Sequence, residues 1–168
     1  ALEDGDEQRL SANLEHMANT SLQALREMRF MLFELQPPAL NEGGLAKTLN
    51  ARLDMVERRV GLTAEARVHT EIESLEIERD LYYVVIEALN NTLRHADADE
   101  VEMMITREND CLYLCVADNG RGFDSSQVPT GLGINNMRQR IEALGGELCI
   151  ESATDEGTRV TATIPLTS

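Results

Sequence analysis

The residues of this chain that are best suited to chemistry lie in three short segments between positions 87 and 133. The first segment carries a carboxylate, an amide and a cation at helical spacing. The second carries a carboxylate followed by glycines, and the third carries two more glycines. Together they offer an oxygen ligand for a hard metal ion, a hydrogen-bond acceptor and bare backbone amides, which are the groups that a nucleotide bound with Mg²⁺ requires. The three segments are residues 87–95, 118–122 and 131–133.

The first segment is predicted to lie near the end of a helix. At about 100° per residue, Glu87, Asn91 and Arg94 fall together beside the apolar face of that helix, where they can address one ligand. The side-chain oxygen of Asn91 is a hard neutral donor that suits Mg²⁺. Glu87 is a candidate to orient or deprotonate a metal-bound water, and Arg94 or His95 is a candidate to bind phosphate oxygens. Taken alone, this segment fits an ordinary solvated helix face better than a site.

The second segment begins where an apolar strand runs out. A carboxylate at Asp118 can accept a hydrogen bond from the exocyclic amine of adenine, which guanine does not present at that position. Gly120 and Gly122 allow the backbone to approach a base and its sugar closely. The alternative interpretation is a plain turn, which the same residue types favour.

Glycines at two further turns are candidates to bind phosphate or to support the carboxylate. Gly131 and Gly133 flank Leu132 directly before a predicted helix, and bare amides at a helix N-terminus form a phosphate site. Their alternative is an ordinary helix start. Gly157 and Thr158 open the last predicted strand, where the Thr158 hydroxyl could support Asp118 through a water molecule. For that pair taken singly, a tight hairpin turn is the better interpretation.

The net charge of −15 limits the possible partners. It argues against direct binding to nucleic acid, which needs basic patches, and against contact with anionic membranes. No apolar run approaches the roughly 20 residues that span a bilayer. The three histidines are too scattered to predict a metal cluster. The three cysteines are an odd number without paired metal-binding spacing, which indicates reduced thiols and a cytoplasmic location. The parent protein could still be anchored in the inner membrane.

The hydrophobic pattern predicts the elements that position these segments. Strands that follow one another without regular βαβ alternation favour an α+β fold, a two-layer α/β sandwich with a mixed sheet of four or five strands and three helices on one face. Helices are predicted over residues 45–60, 77–95 and 134–144, and strands over residues 62–70, 101–107, 111–117, 147–152 and 158–165.

Residues 4–36 are predicted to form one long helix that precedes this fold. An apolar stripe runs from Leu10 to Leu35 at steps of four and three, and Pro37 and Pro38 end it. Such a stripe favours a dimerising coiled coil or bundle, and the alternative is a terminal helix folded onto its own domain. We therefore divide the chain into a helical part, residues 1–40, and a nucleotide-binding domain, residues 41–168.

From about residue 35 to residue 166 the sequence resembles the transmitter region of sensor histidine kinases, with their Bergerat-type (GHKL) ATP-binding fold. That fold is shared with gyrase-type topoisomerases, Hsp90-like chaperones and mismatch-repair ATPases. Residues 87–95 resemble the N box, residues 118–122 and 131–133 resemble the two glycine boxes, and residues 157–158 resemble the closing Gly-Thr element. Residues 33–40 and 131–146 are similar to the sub-family of nitrate/nitrite sensors, which usually pair with response regulators carrying a LuxR-type DNA-binding domain.

The resemblance implies that Asn91 holds Mg²⁺, that Asp118 reads adenine and that the glycine turns frame the phosphates of ATP. It also implies a protein histidine kinase that forms a homodimer through the N-terminal helix and donates phosphate for relay to a response regulator. A GHKL module that regulates by binding nucleotide, such as an anti-sigma-type switch kinase or a degenerate kinase, is the alternative. A third possibility is a dimerisation scaffold with an inactive nucleotide fold.

One departure from the family concerns the phosphoacceptor. The family phosphorylates a histidine that an acidic residue follows closely, but His16 is followed by Met17 and lies too close to the proline stop. We interpret residues 4–36 as the second helix of the dimerisation hairpin, with the phosphoacceptor histidine absent from this fragment. The fragment alone is then expected not to phosphorylate itself.

Overall fold

The computed structural model describes residues 43–124 and 131–166, together with Met17, which is helical. The chain falls into two compact units, Ala1–Pro37 and Pro38–Ser168. Apart from Met17, the long helix predicted over residues 4–36 and its proposed dimer contact lie outside the described residues.

The described part of the second unit contains three α-helices, one π-helical turn and five strands. Every helix and strand predicted for this part forms, with ends shifted by a few residues. In chain order the elements are α1 (Gly44–Val60), β1 (Thr63–Val68), α2 (Leu75–Asn91), the π turn (Thr92–Ala96), β2 (Glu100–Glu108), β3 (Cys111–Asp118), α3 (Leu132–Ala143), β4 (Glu147–Ser152) and β5 (Thr158–Pro165).

The five strands form one mixed sheet in the order β1-β2-β3-β5-β4. β1 runs parallel to β2, and the other three pairs are antiparallel. β3 is therefore the central strand, and its last residue, Asp118, pairs with Val101 of β2 and Thr158 of β5. This topology places the Asp118 carboxylate, which is predicted to read a base, at the C-terminal end of the central strand.

The hydrophobic core lies between one face of the sheet and the helices, as the two-layer prediction requires. Along β2 and β3 the buried positions alternate with exposed or half-buried ones, which is the period of a strand that has one covered face. α2 packs against β3, and α3 packs against β4 and β5. The buried apolar side chains include Leu81, Val84, Val85 and Leu89 of α2, Val101, Met103 and Ile105 of β2, Leu112, Leu114 and Val116 of β3, and Val160, Ala162 and Ile164 of β5.

Local capping sets where the helices begin and end. Ser74 is the N-cap of α2, and its Oγ accepts a hydrogen bond from the Ile77 amide at 3.4 Å. Gly61 is the C-cap of α1, and its φ of 78° is a conformation that glycine adopts without strain. After α3, the amides of Gly145 and Gly146 donate to the last carbonyls of the helix. The glycine stop predicted for this helix is confirmed.

A buried carboxylate joins α1 to α2. Glu78 of α2 is only 8% exposed, and its Oε1 accepts a hydrogen bond from the Leu45 amide at 3.0 Å. The N-cap of α1 is Gly43, which has no side chain to cap the free amides of the first turn. Glu78 therefore supplies from another helix the acceptor that the N-cap lacks.

Candidate nucleotide-binding site

The first site segment lies where α2 changes into the π turn. Asn91 is the last α-helical residue and is half-buried. None of the hydrogen bonds within the described part of the chain involves its side chain, so its amide oxygen is available to a ligand. One-turn π segments inside helices occur often at functional sites.

The π turn also changes where Arg94 and His95 lie. Both are exposed residues of this turn, which ends at Asp97 with a left-handed φ of 49°. Because a π turn holds more residues than an α turn, the α-helical spacing that grouped Arg94 with Glu87 and Asn91 does not extend beyond Asn91. Glu87 and Asn91 both lie on α2, Arg94 lies in the π turn that follows it, and a shared ligand for the three side chains stays a prediction.

The Asp118 carboxylate is held by three donors from three parts of the chain. Its Oδ1 accepts hydrogen bonds from the backbone amides of Gly120 at 3.0 Å and Thr158 at 3.2 Å. Its Oδ2 accepts a hydrogen bond from the Thr92 hydroxyl at 3.0 Å. The sequence predicted that Thr158 acts through its hydroxyl and a water, whereas the direct contact in the structure comes from its backbone amide. The Thr158 hydroxyl instead lies 3.1 Å from Ser152 Oγ.

The glycines after Asp118 are required by the packing of the protein's own backbone. A Cβ on Gly120 would overlap the Ala96 carbonyl at the end of the π turn, which also accepts a hydrogen bond from the Arg121 amide at 2.7 Å. Gly122 has a φ of +55°, and a Cβ there would overlap the Ala153 carbonyl of the β4–β5 turn. Glycine at 120 and 122 therefore lets this loop pass between the π turn and the last hairpin. Their closeness to a base and sugar stays a prediction.

The third segment meets the first at the N-terminus of α3. A Cβ on Gly133 would overlap Glu87 Oε1, so the Glu87 side chain lies directly against the first turn of α3. Gly131 is the N-cap with no side-chain cap, and a Cβ there would meet no atom of the described residues within 4 Å. Leu132 between them is 84% exposed. The fold thus brings Glu87 beside the glycine turn, 131–133, and no described residue covers Gly131.

An ion pair with an aromatic contact fixes α3 against α2. Arg140 of α3 donates to Asp80 of α2 at 2.7 Å, and the Asp80 side chain is nearly buried. The same guanidinium lies 4.4 Å from the centre of the Tyr83 ring, within the range of a cation–π contact. This contact holds the helix that begins at the glycine turn in register with the helix that carries Glu87 and Asn91.

Sequence reasoning missed Thr92 and Ser152. Thr92 is 4% exposed and supplies the only side-chain donor to Asp118 among the described residues. Ser152 Oγ accepts from the Phe123 amide at 2.9 Å and donates to the Gly157 carbonyl at 2.8 Å, joining the loop after β3 to the last hairpin. The sequence offered one signal for Thr92. It is a polar β-branched residue directly after Asn91, at a position predicted to be helical. Ser152 carries no comparable signal.

The oxygen atoms near Asn91 fit a metal ion that binds few protein ligands. In residues 43–124 and 131–166, no group of three or more His, Cys, Asp or Glu side chains could hold a metal. Asn91 offers one free amide oxygen beside Glu87. That arrangement fits Mg²⁺, which commonly keeps several waters and takes phosphate oxygens as its other ligands.

Comparison with known proteins decides the family. A family model described as "Histidine kinase-, DNA gyrase B-, and HSP90-like ATPase" matches residues 76–168. The chain belongs to this family. The match covers every site segment described above, and it supports the use of ATP.

Similar curated proteins are sensor kinases. The chain is 33% identical over 154 residues to "Sensor histidine kinase LiaS" of Bacillus subtilis (strain 168), covering 91% of this chain and 42% of that protein. It is 30% identical over 148 residues to "Signal transduction histidine-protein kinase/phosphatase DegS" of Brevibacillus brevis, covering 86% and 38%. The chain therefore spans about two fifths of the length of these two relatives and corresponds to the ATP-binding region of a histidine kinase.

Solved structures support the same fold. The histidine kinase domain of the Erythrobacter litoralis EL346 blue-light activated histidine kinase matches with a TM-score of 0.63 at 26% identity, covering 73% of this chain and 61% of that one. The mycobacterial sensor histidine kinase MprB matches with a TM-score of 0.54 at 18% identity, covering 70% and 91%, and that likeness shows the fold alone. Within the described residues, no helix combines the length and apolarity needed to cross a membrane.

Proposed function

We propose that this chain is the catalytic portion of a sensor histidine kinase that binds ATP with Mg²⁺ and donates the γ-phosphate to a histidine on a neighbouring helix. The observation that carries the proposal is the Asp118 carboxylate. It lies at the end of the central strand, and three donors hold it. An acceptor fixed in this way can select the amine of adenine, because a hydrogen bond to a charged group is strong and the geometry is set before the ligand arrives.

The remaining roles follow from what surrounds that carboxylate. Asn91 is the proposed Mg²⁺ ligand, since its oxygen is free of hydrogen bonds within the described chain. The open turn at Gly131, Leu132 and Gly133 supplies amides for the phosphates at the N-terminus of α3. The bound metal would neutralise phosphate charge during transfer.

Three acidic or basic side chains complete the proposal. Glu87, which lies against Gly133, would orient a water on the metal from the edge of the phosphate turn. Arg94 and His95, on the exposed π turn, would bind phosphate oxygens.

The wider assignments rest on the resemblance and on the named relatives. We propose a homodimer through residues 4–36 and transfer of phosphate to a response regulator of the LuxR-type class in the cytoplasm. The names of the relatives, a sensor histidine kinase and a signal-transduction histidine-protein kinase/phosphatase, support such a partner in general terms.

Nucleotide titration tests the proposed site. We expect the chain to bind ATP more tightly than GTP by about ten- to a hundredfold, the value of one charge-assisted hydrogen bond of roughly 1.5–3 kcal/mol. Asp118→Ala should lose most of that preference. Asp110→Ala is the matched control, because Asp110 is exposed and lies just before the other end of the same strand.

Calorimetry in the presence of Mg²⁺ gives both dissociation constants. Equal affinity for ATP and GTP in the unmodified chain, or an Asp118→Ala variant that is folded and binds like the control, would refute the assignment of Asp118 as the base reader.

A further inference from the structure

The hydrogen bonds that the described residues make to Asp118 leave one acceptor position of its carboxylate open. Each carboxylate oxygen has two lone pairs. Both lone pairs of Oδ1 are used by backbone amides, those of Gly120 and Thr158. Oδ2 accepts one hydrogen bond, from Thr92. One lone pair of Oδ2 therefore remains for a ligand, and its direction depends on how Thr92 holds that oxygen.

The Thr92 hydroxyl has two acceptors within reach and only one proton. Its Oγ1 lies 3.0 Å from Asp118 Oδ2 and 3.2 Å from the Ala88 carbonyl. The Ala88 carbonyl already accepts the Thr92 amide, and a charged acceptor makes the stronger bond. The proton therefore points to Asp118. Because Thr92 is buried and β-branched, its side chain has little freedom to turn away.

We propose that Thr92 is a positioning residue that fixes the orientation of the Asp118 side chain and so sets which base the site accepts. The inference rests on the function proposed above and extends it to Thr92, a residue of segment 87–95 to which the sequence pattern gave no role. In this arrangement only the atom at the Oδ2 position is directed toward the base. The atom at the Oδ1 position must be a hydrogen-bond acceptor, because the amides of Gly120 and Thr158 both donate to it.

The same geometry predicts the behaviour of Asp118→Asn. The new amide must place its oxygen at the Oδ1 position, because an NH₂ group there would face the two backbone N–H donors. Its NH₂ group then occupies the Oδ2 position. The Thr92 hydroxyl can accept from that NH₂ group and donate its proton to the Ala88 carbonyl at 3.2 Å, so no buried polar group loses its partner.

The site of this variant would present a donor to the base where the unmodified site presents an acceptor. A donor at this position cannot form a hydrogen bond with the amine of adenine, which is itself a donor. It can donate to the carbonyl oxygen that hypoxanthine carries at the same position. Inosine triphosphate is therefore the probe, since it carries that carbonyl without the additional 2-amino group of guanine.

The experiment measures dissociation constants of ATP and inosine triphosphate with Mg²⁺ by calorimetry and compares their ratio. The unmodified chain should prefer ATP by about tenfold or more. Asp118→Asn should reverse the preference. Thr92→Val, which keeps the shape and removes the hydroxyl, should reduce the ratio by about fivefold or more, and Thr92→Ser should keep the original ratio.

Two controls separate positioning from folding. Thr161→Val makes the same chemical change on the sheet face away from the helices and should leave the ratio unchanged. Thermal unfolding identifies variants that fail to fold. If Thr92→Val fails to fold, Thr92→Ala is measured in its place. A purely structural Thr92 would lower stability in Thr92→Ser and leave the ratio of the folded valine or alanine variant intact.

The outcomes are distinct. If the unmodified chain does not bind ATP, or binds both nucleotides equally, the proposed function fails before the inference is reached. If it prefers ATP and the hydroxyl-free variants at position 92 keep that preference, the role of Thr92 is overturned. If folded Asp118→Asn still prefers ATP, or binds neither nucleotide, the orientation argument is overturned.

Discussion

The role of Asn91 as the proposed metal ligand can be tested separately from any role in folding. We expect Asn91→Ala to lose the Mg²⁺ dependence of ATP binding while its unfolding midpoint stays near that of the parent chain, because the Asn91 side chain is only half-buried and makes no hydrogen bond within the described chain. ATP titrations with Mg²⁺ and with excess chelator provide the measurement. Asn50→Ala, an exposed change on α1, is the control. An Asn91→Ala variant that unfolds would make the residue structural.

The contact between Gly133 and Glu87 can be tested by a double-mutant cycle. Gly133→Ala places a methyl group where Glu87 Oε1 lies, so the flexible Glu87 side chain must move, and the gain of about 1 kcal/mol expected for alanine over glycine in a helix should be reduced or lost. In a Glu87→Ala background that gain in unfolding free energy should return. Gly131→Ala, whose added methyl group would meet no atom of the described residues, is the matched change. Urea denaturation gives all four values, and simple additivity would contradict the contact.

The end of α2 limits how far local patterns predict this site. Glu87 and Asn91 lie four residues apart on α2, close to the repeat of an α-helix, and their roles stay predictions. Arg94 lies in the π turn after Asn91, where the α-helical spacing used to place it no longer applies. Nothing in the apolar spacing marks a one-residue change of helical period, so only the structure locates it.

The junction of α1 with α2 depends on one acceptor. Glu78→Ala leaves the buried Leu45 amide without its partner and should lower the unfolding free energy by about 1–3 kcal/mol. Glu78→Gln keeps an oxygen acceptor and should recover most of that loss. Glu76→Ala, an exposed change in the same turn of α2, should cost little. The check is urea denaturation, and equal losses for Gln and Ala would mean that charge, not the hydrogen bond, stabilises the junction.

Tyr82 of α2 makes stability depend on alkaline pH. Burial raises its pKa above the ordinary value of 10.0, and the nearby Arg52 guanidinium partly opposes this shift. Because the unfolded chain ionises first, the stabilisation is complete below about pH 10 and is lost as the pH rises through the folded-state pKa. The unfolding free energy of the parent chain should then fall more steeply above about pH 10 than that of Tyr82→Phe. Tyr113→Phe, at an exposed position of β3, should keep the parent slope.

Self-phosphorylation tests the interpretation of residues 4–36 as the second helix of a dimerisation hairpin. Transfer to histidine needs the acceptor in line with the γ-phosphate, and positioning supplies much of the rate. We expect the 168-residue chain to bind ATP and not label itself with γ-labelled ATP. A fragment of the parent protein that carries the phosphoacceptor helix should accept label in trans if the stripe from Leu10 to Leu35 allows the bundle to assemble.

The matched variant for this experiment is His16→Gln. Strong labelling of the chain alone that His16→Gln abolishes would identify His16 as the phosphoacceptor and overturn our placement of that helix. Nucleotide binding with no transfer to any acceptor would favour the alternative of a regulatory nucleotide-binding module.

The helices, the two hairpins and the glycine turns followed from the sequence because short-range spacing and turn chemistry specify them. The hairpin between β2 and β3, for example, turns at Asn109 and Asp110 as its polar residues predict, with Asn109 in the left-handed region at φ 53°. Those local rules were also sufficient to select Asp118 as an acceptor at a strand end.

The surroundings of Asp118 were decided only by tertiary structure. Its donors Thr92 and Thr158 are 26 and 40 positions away along the chain, and no local pattern encodes such pairings. The strand order that makes β3 central and the clash that excludes a side chain at Gly122 likewise arise between distant segments. Periodicity reports which face of an element is buried, but the partner on that face depends on how the whole chain packs, since burial and hydrogen bonding are satisfied jointly.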